Sequence, residues 1–131
     1  AMKDAGVDIR LGTDGSASNN SLDLRAEAKA ASLVQKHDHW DARILDPEET
    51  WSLATKGSED WVTWGLSDIR MRPWGRDGRR LLSNLIYSGA RVLDVFVEGE
   101  GIRRDGVTLT LDEGKASQEL ESSVEDYYSE L

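Results

Sequence analysis

Residues 7–15 read Val-Asp-Ile-Arg-Leu-Gly-Thr-Asp-Gly, and residues 16–23 continue as Ser-Ala-Ser-Asn-Asn-Ser-Leu-Asp. Apolar and polar residues alternate over the first five positions, which predicts a short β-strand. The strand leads into Asp14, and the glycine that follows lets the backbone turn sharply without a Cβ in the way. An acidic residue at the C-terminal end of a strand is a candidate catalytic residue.

From the residues alone, Asp14 has two interpretations. An Asp-Gly pair after a strand is a common turn signal, so that Asp14 and Gly15 alone predict a solvated turn. The polar loop and the helical pattern behind them instead complete a β/α unit. In a (β/α)₈ barrel, residues at the C-terminal ends of the strands build the active site.

The run LGTDGSASNNSLDL at residues 11–24 resembles the segment after the last barrel strand in the amidohydrolase superfamily. The resemblance is to the chlorohydrolase, cytosine deaminase and adenosylhomocysteine deaminase branch. A second stretch, LLSNLIYSGARVLDVFVEGEGIRRDGVTLTLDE at residues 81–113, resembles the C-terminal part of the same enzymes. The resemblance implies that Asp14 ligates a catalytic metal and handles a proton of the attacking water.

The fold implied by this resemblance is of the α/β class. It comprises the last β/α unit of a (β/α)₈ metal-dependent hydrolase barrel, C-terminal strands of a small β-sandwich and a terminal helix. Residues 1–66 are expected to belong to the barrel and residues 67–131 to the composite β-sandwich domain. A complete barrel needs about 250 residues, so we expect the 131 residues to be a part of such an enzyme.

The implied activity is hydrolysis of a C–N or C–Cl bond in a small ring substrate such as a nucleobase, nucleoside or triazine. The implied cofactor is a divalent metal, zinc or iron, whose remaining ligands in the family are upstream histidines. A lone carboxylate cannot hold a catalytic zinc, so we expect the isolated chain to be metal-free and inert without the N-terminal portion or another chain. The alternative is a complete non-enzymatic interaction module, or a decayed relative, that associates with a partner or with itself as a homo-oligomer.

The amino-acid composition argues against some classes of binding partner. The net charge is −9 and the sequence has no cysteine. The charge argues against nucleic acid and anionic membranes as partners, since phosphate surfaces would repel it. The absence of cysteine excludes disulfides and fits a reducing compartment, and with no signal-peptide pattern or membrane span we expect a cytoplasmic protein.

Three helical patterns precede residue 67. The first, residues 21–36, is expected to be N-capped by Ser21, with Asp23 in its first turn. Its packing face is expected to include the residues at helical spacing, Leu22, Ala26, Ala30, Leu33 and Val34. The second begins at Pro47, because Asp46, Pro47 and Glu49 form a capping signal. Residues 58–66 are expected to continue it as a short helix, with Trp61 and Trp64 packing on one face.

Two polar clusters have weaker functional interpretations. His37 and His39 form a His-x-His pair, which in the family belongs at the end of the first barrel strand, so here we expect surface histidines in a charged connection. Five arginines lie between Arg70 and Arg80, where the sequence leaves the family's pattern. They are expected to be a solvated loop that pairs with acidic residues, with an anion site as the alternative.

The remaining elements lie at the two ends of the chain. Residues 1–6 resemble the end of a helix stopped by Gly6, which suggests that further chain precedes them. A strand is expected at residues 92–97, followed by a strand and a short third piece within 102–111. Asp105 and Gly106 form the hairpin turn between these two pieces. The acidic tail from Asp112 is expected to be an amphipathic helix that packs one face.

Overall fold

A computed structural model describes residues 2–129 and divides them into two compact units. The first unit comprises residues 2–58 and 66–90, and the second comprises residues 59–65 and 91–129. The elements in chain order are α1 (Ser16–Asn19), α2 (Leu24–His39), α3 (Pro47–Thr55), β1 (Trp61–Trp64), a 3₁₀ turn (Ile69–Met71), α4 (Gly78–Ser88), β2 (Val92–Val97), β3 (Glu100–Arg104), β4 (Val107–Thr108) and α5 (Glu113–Ser129).

The core of the first unit lies where α2, α3, α4 and the 3₁₀ turn meet. Few side chains are buried there, and two of them are polar. The buried residues are Ala28, Ser32, Thr50, Met71, Leu85 and Ile86. The capping signal for α3 is confirmed, because the Asp46 side chain accepts a hydrogen bond from the Glu49 amide at 2.9 Å and Pro47 opens the helix.

Helix α2 begins later than its sequence pattern predicts. Its N-cap is Asp23, whose side chain accepts from the amides of Arg25 and Ala26, while Ser21 accepts from the Asp23 amide. The expected packing face was also wrong, because α2 buries Ala28 and Ser32 whereas Leu33 is 48% exposed. The contacts with α3 and α4 select the face that is buried, and helical spacing alone does not determine it.

The expected strand at residues 7–11 is not formed as a strand within the described residues. A β-strand is defined by a ladder of hydrogen bonds to a neighbour, and the described part of the first unit contains no other strand. The Leu11 amide instead donates to the carbonyl of Leu53 in α3 at 2.9 Å. Before this segment the chain turns at Gly6, whose amide donates to Lys3 and whose φ is +72°.

The second unit is built on an antiparallel sheet of order β1-β2-β3-β4. The expectation of a helix over residues 58–66 was wrong, since Trp61–Trp64 forms β1 and pairs Trp61 with Phe96 and Val62 with Val95. Aromatic and β-branched residues suit a paired strand better than an isolated helical turn. The pairing of β1 with β2 is irregular between Val62 and Trp64, where the register shifts.

The C-terminal strands agree with the sequence pattern. Strand β2 occupies the predicted residues, and the turn between β3 and β4 is formed by Asp105 at φ +49° and Gly106 at φ +81°. Positive φ at both central residues is typical of a type I′ hairpin. Helix α5 is present as predicted, but the expectation that it packs one face was wrong, because Leu120, Val124 and the two tyrosines are 46–69% exposed.

Candidate functional site

Asp14 lies in the loop between the extended segment and α1. Its φ of +56° places the backbone in the left-handed region, which aspartate tolerates better than most residues. The side chain is exposed, and its Oδ1 accepts a hydrogen bond from the Gly15 amide at 2.8 Å. This local bond engages only one of the two carboxylate oxygens of Asp14.

Asn19 ties the Asp14 loop to α2. Its side-chain nitrogen donates to the Thr13 carbonyl at 3.0 Å and to Glu27 Oε1 at 2.7 Å. The Thr13 hydroxyl donates to the Asp14 carbonyl at 3.1 Å, so the peptide units on both sides of the loop are held. Neither Asn19 nor Glu27 is predicted from the sequence, although an amide at the end of a polar loop and an acid in the first helical turn are local signals for such a contact.

The described residues do not form a complete metal site. No group of three or more His, Asp or Glu side chains between residues 2 and 129 is arranged to hold an ion. A catalytic zinc takes about three protein ligands, and Asp14 would supply one. The donor set in this chain therefore does not by itself fit the metal that the family resemblance implies.

The two histidines lie in the last turn of α2, not in a connection as expected. The His37 ring lies 5.6 Å from the Trp40 ring, and His39 Nδ1 lies 3.1 Å from the Gln35 carbonyl oxygen. Both are on the surface, in agreement with the sequence analysis.

The arginine cluster is only partly a loop. Arg70 pairs with Asp68 at 2.6 Å, and Arg79 pairs with Asp46 at 3.2 Å and with Glu48 at 3.4 Å. The predicted pairing with acidic residues is thus confirmed for these two arginines. The expectation of a loop was wrong for the end of the cluster, because Asp77 caps α4 and brings Arg79 into its first turn.

A groove of about 990 Å³ lies between the extended segment and helices α2 and α3. Its apolar lining includes Val7, Ile9, Leu11, Val34 and Leu53. The lining also includes Lys3, Glu49 and Lys56, and ion pairs join Lys3 to Glu49 and Lys56 to Asp8. The hydrogen bond from Lys56 lowers the pKa of the Asp8 carboxyl, and the bond to Glu49 raises the pKa of Lys3.

Comparisons with known proteins give one consistent result, although no family model matches the sequence. The 5-methylthioadenosine/S-adenosylhomocysteine deaminase of Bacillus cytotoxicus is 36% identical over 129 residues, which covers 86% of this chain and 30% of that protein. The proteins of the same name from Bacillus cereus (strain ATCC 14579) and Bacillus thuringiensis (strain Al Hakam) are 36% and 35% identical, with the same coverage.

Among solved structures, an adenosine deaminase from Xanthomonas campestris with bound zinc is similar with a TM-score of 0.82 and 26% identity. The similarity covers 98% of this chain and 33% of that structure. This chain therefore spans about a third of the length of the proteins it matches. No helix within residues 2–129 is long and apolar enough to cross a bilayer. In sequence and in structure, the chain is thus similar over most of its length to bacterial 5-methylthioadenosine/S-adenosylhomocysteine and adenosine deaminases, the kind of enzyme that the resemblance in its sequence indicates.

Proposed function

We propose that this chain is part of a metal-dependent deaminase that hydrolyses a C–N bond of an adenine nucleoside, and that it contributes Asp14 to the active site. The single observation that carries the proposal is the match to deaminases over 86% of the chain, with Asp14 exposed at the end of the extended segment. The first compact unit would then contain the last β/α unit of the barrel, and the second unit, which holds the four-stranded sheet, would form the C-terminal part of the small β-sandwich domain.

The extended segment supports a barrel that continues outside this chain. Its alternating residues have the pattern of a strand, yet no neighbouring strand is present in the described part of its unit. Parallel strands need neighbours that arrive through long crossover connections. In the complete enzyme such neighbours would come from the two thirds of the matched proteins that this chain does not span.

The position of Asp14 and its unengaged carboxylate oxygen support a role in the active site. One oxygen is engaged by the Gly15 amide, which leaves the other for a ligand. The remaining metal ligands would come from residues outside this chain. A zinc ion at such a site lowers the pKa of its bound water to near neutrality. Because the described residues supply one carboxylate, this chain by itself is assigned no hydrolytic step.

A chimera tests the proposal. This chain would replace the aligned segment of the Bacillus cytotoxicus deaminase, and ammonia release from 5′-methylthioadenosine and zinc content per chain would both be measured. We expect an active chimera, and we expect Asp14→Asn to reduce turnover at least ~100-fold while zinc content falls. Asparagine tolerates the positive φ of this position, so the fold is retained.

Asp105→Asn is the matched control. Asp105 is also an aspartate at positive φ before a glycine, but it lies in the β3–β4 hairpin, and its substitution is expected to leave turnover within about twofold. Equal turnover of the Asp14→Asn chimera and the unsubstituted chimera would refute the assigned role. A folded chimera that holds no zinc and releases no ammonia would favour the alternative of a non-enzymatic module.

A further inference from the structure

Asn19 bridges α2 and the peptide unit that precedes Asp14. The two hydrogens of its side-chain amide go to two acceptors, the Thr13 carbonyl at 3.0 Å and Glu27 Oε1 at 2.7 Å. A carbonyl and a carboxylate cannot donate, so the nitrogen of the Asn19 amide, and not its oxygen, must face them. The bond to the carboxylate is charge-assisted and therefore stronger than a bond between neutral groups.

The backbone of Asp14 adopts a conformation that needs such support. At φ +56° it lies in the left-handed region, which persists where the surrounding structure holds it. The φ angle of Asp14 is the rotation about the bond that joins it to the Thr13 peptide unit, and Asn19 holds the carbonyl oxygen of that unit. On the other side, Asp14 Oδ1 accepts from the Gly15 amide at 2.8 Å. The two bonds together restrict the direction of the Asp14 carboxylate.

The support for this loop comes from α2, because α1 is too short to hold itself. Helix α1 comprises four residues, Ser16–Asn19, and an isolated helix of that length is unstable in water. Helix α2 has 16 residues, and Ala28, which follows Glu27, is fully buried in the core of the first unit. Glu27 itself is half-buried. Its carboxylate therefore joins the exposed loop to a helix that packing keeps in place.

We propose that Glu27 and Asn19 are positioning residues for Asp14: the Glu27 carboxylate holds the Asn19 amide, and the amide holds the peptide unit that directs the Asp14 side chain. The inference rests on the proposed function, in which Asp14 takes part in deamination. A carboxylate that is already held in its working direction need not be reoriented during the reaction. Loss of the bridge is therefore expected to lower kcat and to leave KM unchanged.

Steady-state kinetics of the chimera with the Bacillus cytotoxicus deaminase test the proposal. We expect Asn19→Ala to lower kcat for 5′-methylthioadenosine about 10-fold and to change KM by less than about twofold. Glu27→Ala is expected to lower kcat about 5-fold, since Asn19 then keeps only its bond to Thr13. Glu27→Gln retains an acceptor oxygen and is expected to bring kcat back to within about twofold of the unsubstituted chimera.

A double-mutant cycle tests whether Glu27 acts through Asn19. If it does, removing Glu27 in addition to the Asn19 side chain has no further effect, and kcat of the double alanine variant equals that of Asn19→Ala. Independent contributions would instead multiply to a loss of about 50-fold.

Asn84→Ala is the matched control for a loss of stability. Asn84 in α4 is also an asparagine whose side chain donates to loop carbonyls, those of Met71 at 2.9 Å and Pro73 at 3.3 Å. Its substitution removes bonds of the same kind elsewhere in the first unit. We expect it to lower the urea midpoint of unfolding while kcat stays within about twofold.

A measurement on the 131-residue chain tests the bridge without turnover. Scalar couplings from the backbone nitrogen and carbonyl carbon to Cγ report the side-chain rotamers of Asp14 by NMR. We expect one dominant rotamer in the unsubstituted chain and in Asn84→Ala. In Asn19→Ala and Glu27→Ala we expect couplings averaged over several rotamers.

Three results would overturn the proposal: an Asn19→Ala chimera that keeps its kcat while Asp14→Asn loses it, a multiplied loss in the double variant, or a single Asp14 rotamer in Asn19→Ala. A chimera in which Asp14→Asn has no effect would instead refute the proposed function. In that case the rotamers would still decide whether Asn19 directs Asp14.

Discussion

The indole of Trp61 stacks on the ring of Phe96 across the β1–β2 pair, with centroids 3.7 Å apart and planes inclined by 12°. On the next strand the Arg104 guanidinium lies 4.4 Å from the centre of the Phe96 ring. Gly101 makes room for this arrangement, because a Cβ there would lie 2.9 Å from Arg104 Nε. The two aromatic rings and the guanidinium therefore tie β1, β2 and β3 together on one face of the sheet.

Trp61→Ala is expected to destabilise the second unit by about 1–2 kcal/mol, because it removes the stacked ring and its partly buried area. Urea unfolding followed by far-ultraviolet circular dichroism at low protein concentration measures the loss. Trp40→Ala serves as the control, since that indole is 87% exposed and its loss is expected to cost under ~0.5 kcal/mol. Equal effects at the two positions would contradict a stabilising role for the stack.

Thr63 is expected to make the stability of the sheet depend on pH. The Thr63 hydroxyl donates to Asp94 Oδ2 at 2.6 Å, and this bond, followed by the one from the Asp105 amide, lowers the pKa of Asp94. A carboxyl with a depressed folded pKa stabilises the fold above its unfolded pKa of about 3.9, and the contribution disappears as pH falls through the folded pKa.

Thr63→Val should therefore raise the pKa of Asp94 towards its ordinary value, as followed by carboxyl NMR titration. The destabilisation that it causes is expected to be larger at pH 6 than at pH 2.5. The remainder at low pH reflects the lost bond from the Asp94 amide to the Thr63 hydroxyl, 3.0 Å long. Thr63→Ser keeps the hydroxyl and should preserve the pKa, whereas an unchanged pKa in the valine variant would refute the assignment.

Lys36 is expected to stabilise the first unit through hydrogen bonds to one hydroxyl and two carbonyl groups. Its ammonium donates to Ser32 Oγ at 2.6 Å and to the carbonyls of Ile44 and Leu45 at 2.7 and 2.6 Å. Lys36→Met keeps the aliphatic chain but removes the donors, with an expected loss of about 1–3 kcal/mol in urea unfolding. The control, Lys115→Met in the exposed part of α5, should change stability by less than ~0.5 kcal/mol.

Asn19 is expected to hold the Asp14 loop in its left-handed conformation. Asn19→Ala removes the bonds to Thr13 and Glu27, at a cost of about 1 kcal/mol to local opening. Hydrogen exchange of the amides from residue 15 to residue 20 should accelerate ~5-fold, while exchange in β2 stays the same. Unaltered exchange in the loop would show that Asn19 does not hold it.

Only part of the candidate site could be predicted from the sequence. Asp14 and its polar loop were identified from the sequence, because a glycine, an acid and small polar residues at the end of an alternating run are local signals. The Asn19 link to Glu27 was not identified, because it depends on how α1 and α2 meet. The other metal ligands could not be predicted from this chain, since the described residues do not contain a complete set.

By itself the sequence determined the elements whose hydrogen bonds close within a few residues. The α3 cap at Asp46 and the hairpin turn at Asp105 and Gly106 are of this kind, because their partners are neighbours along the chain. Only the tertiary structure decided that Trp61–Trp64 is a strand, that α2 buries Ala28 in place of Ala30, and that residues 7–11 make no ladder. In these cases the deciding contacts join residues far apart in the sequence, and periodicity cannot specify which distant partner is present.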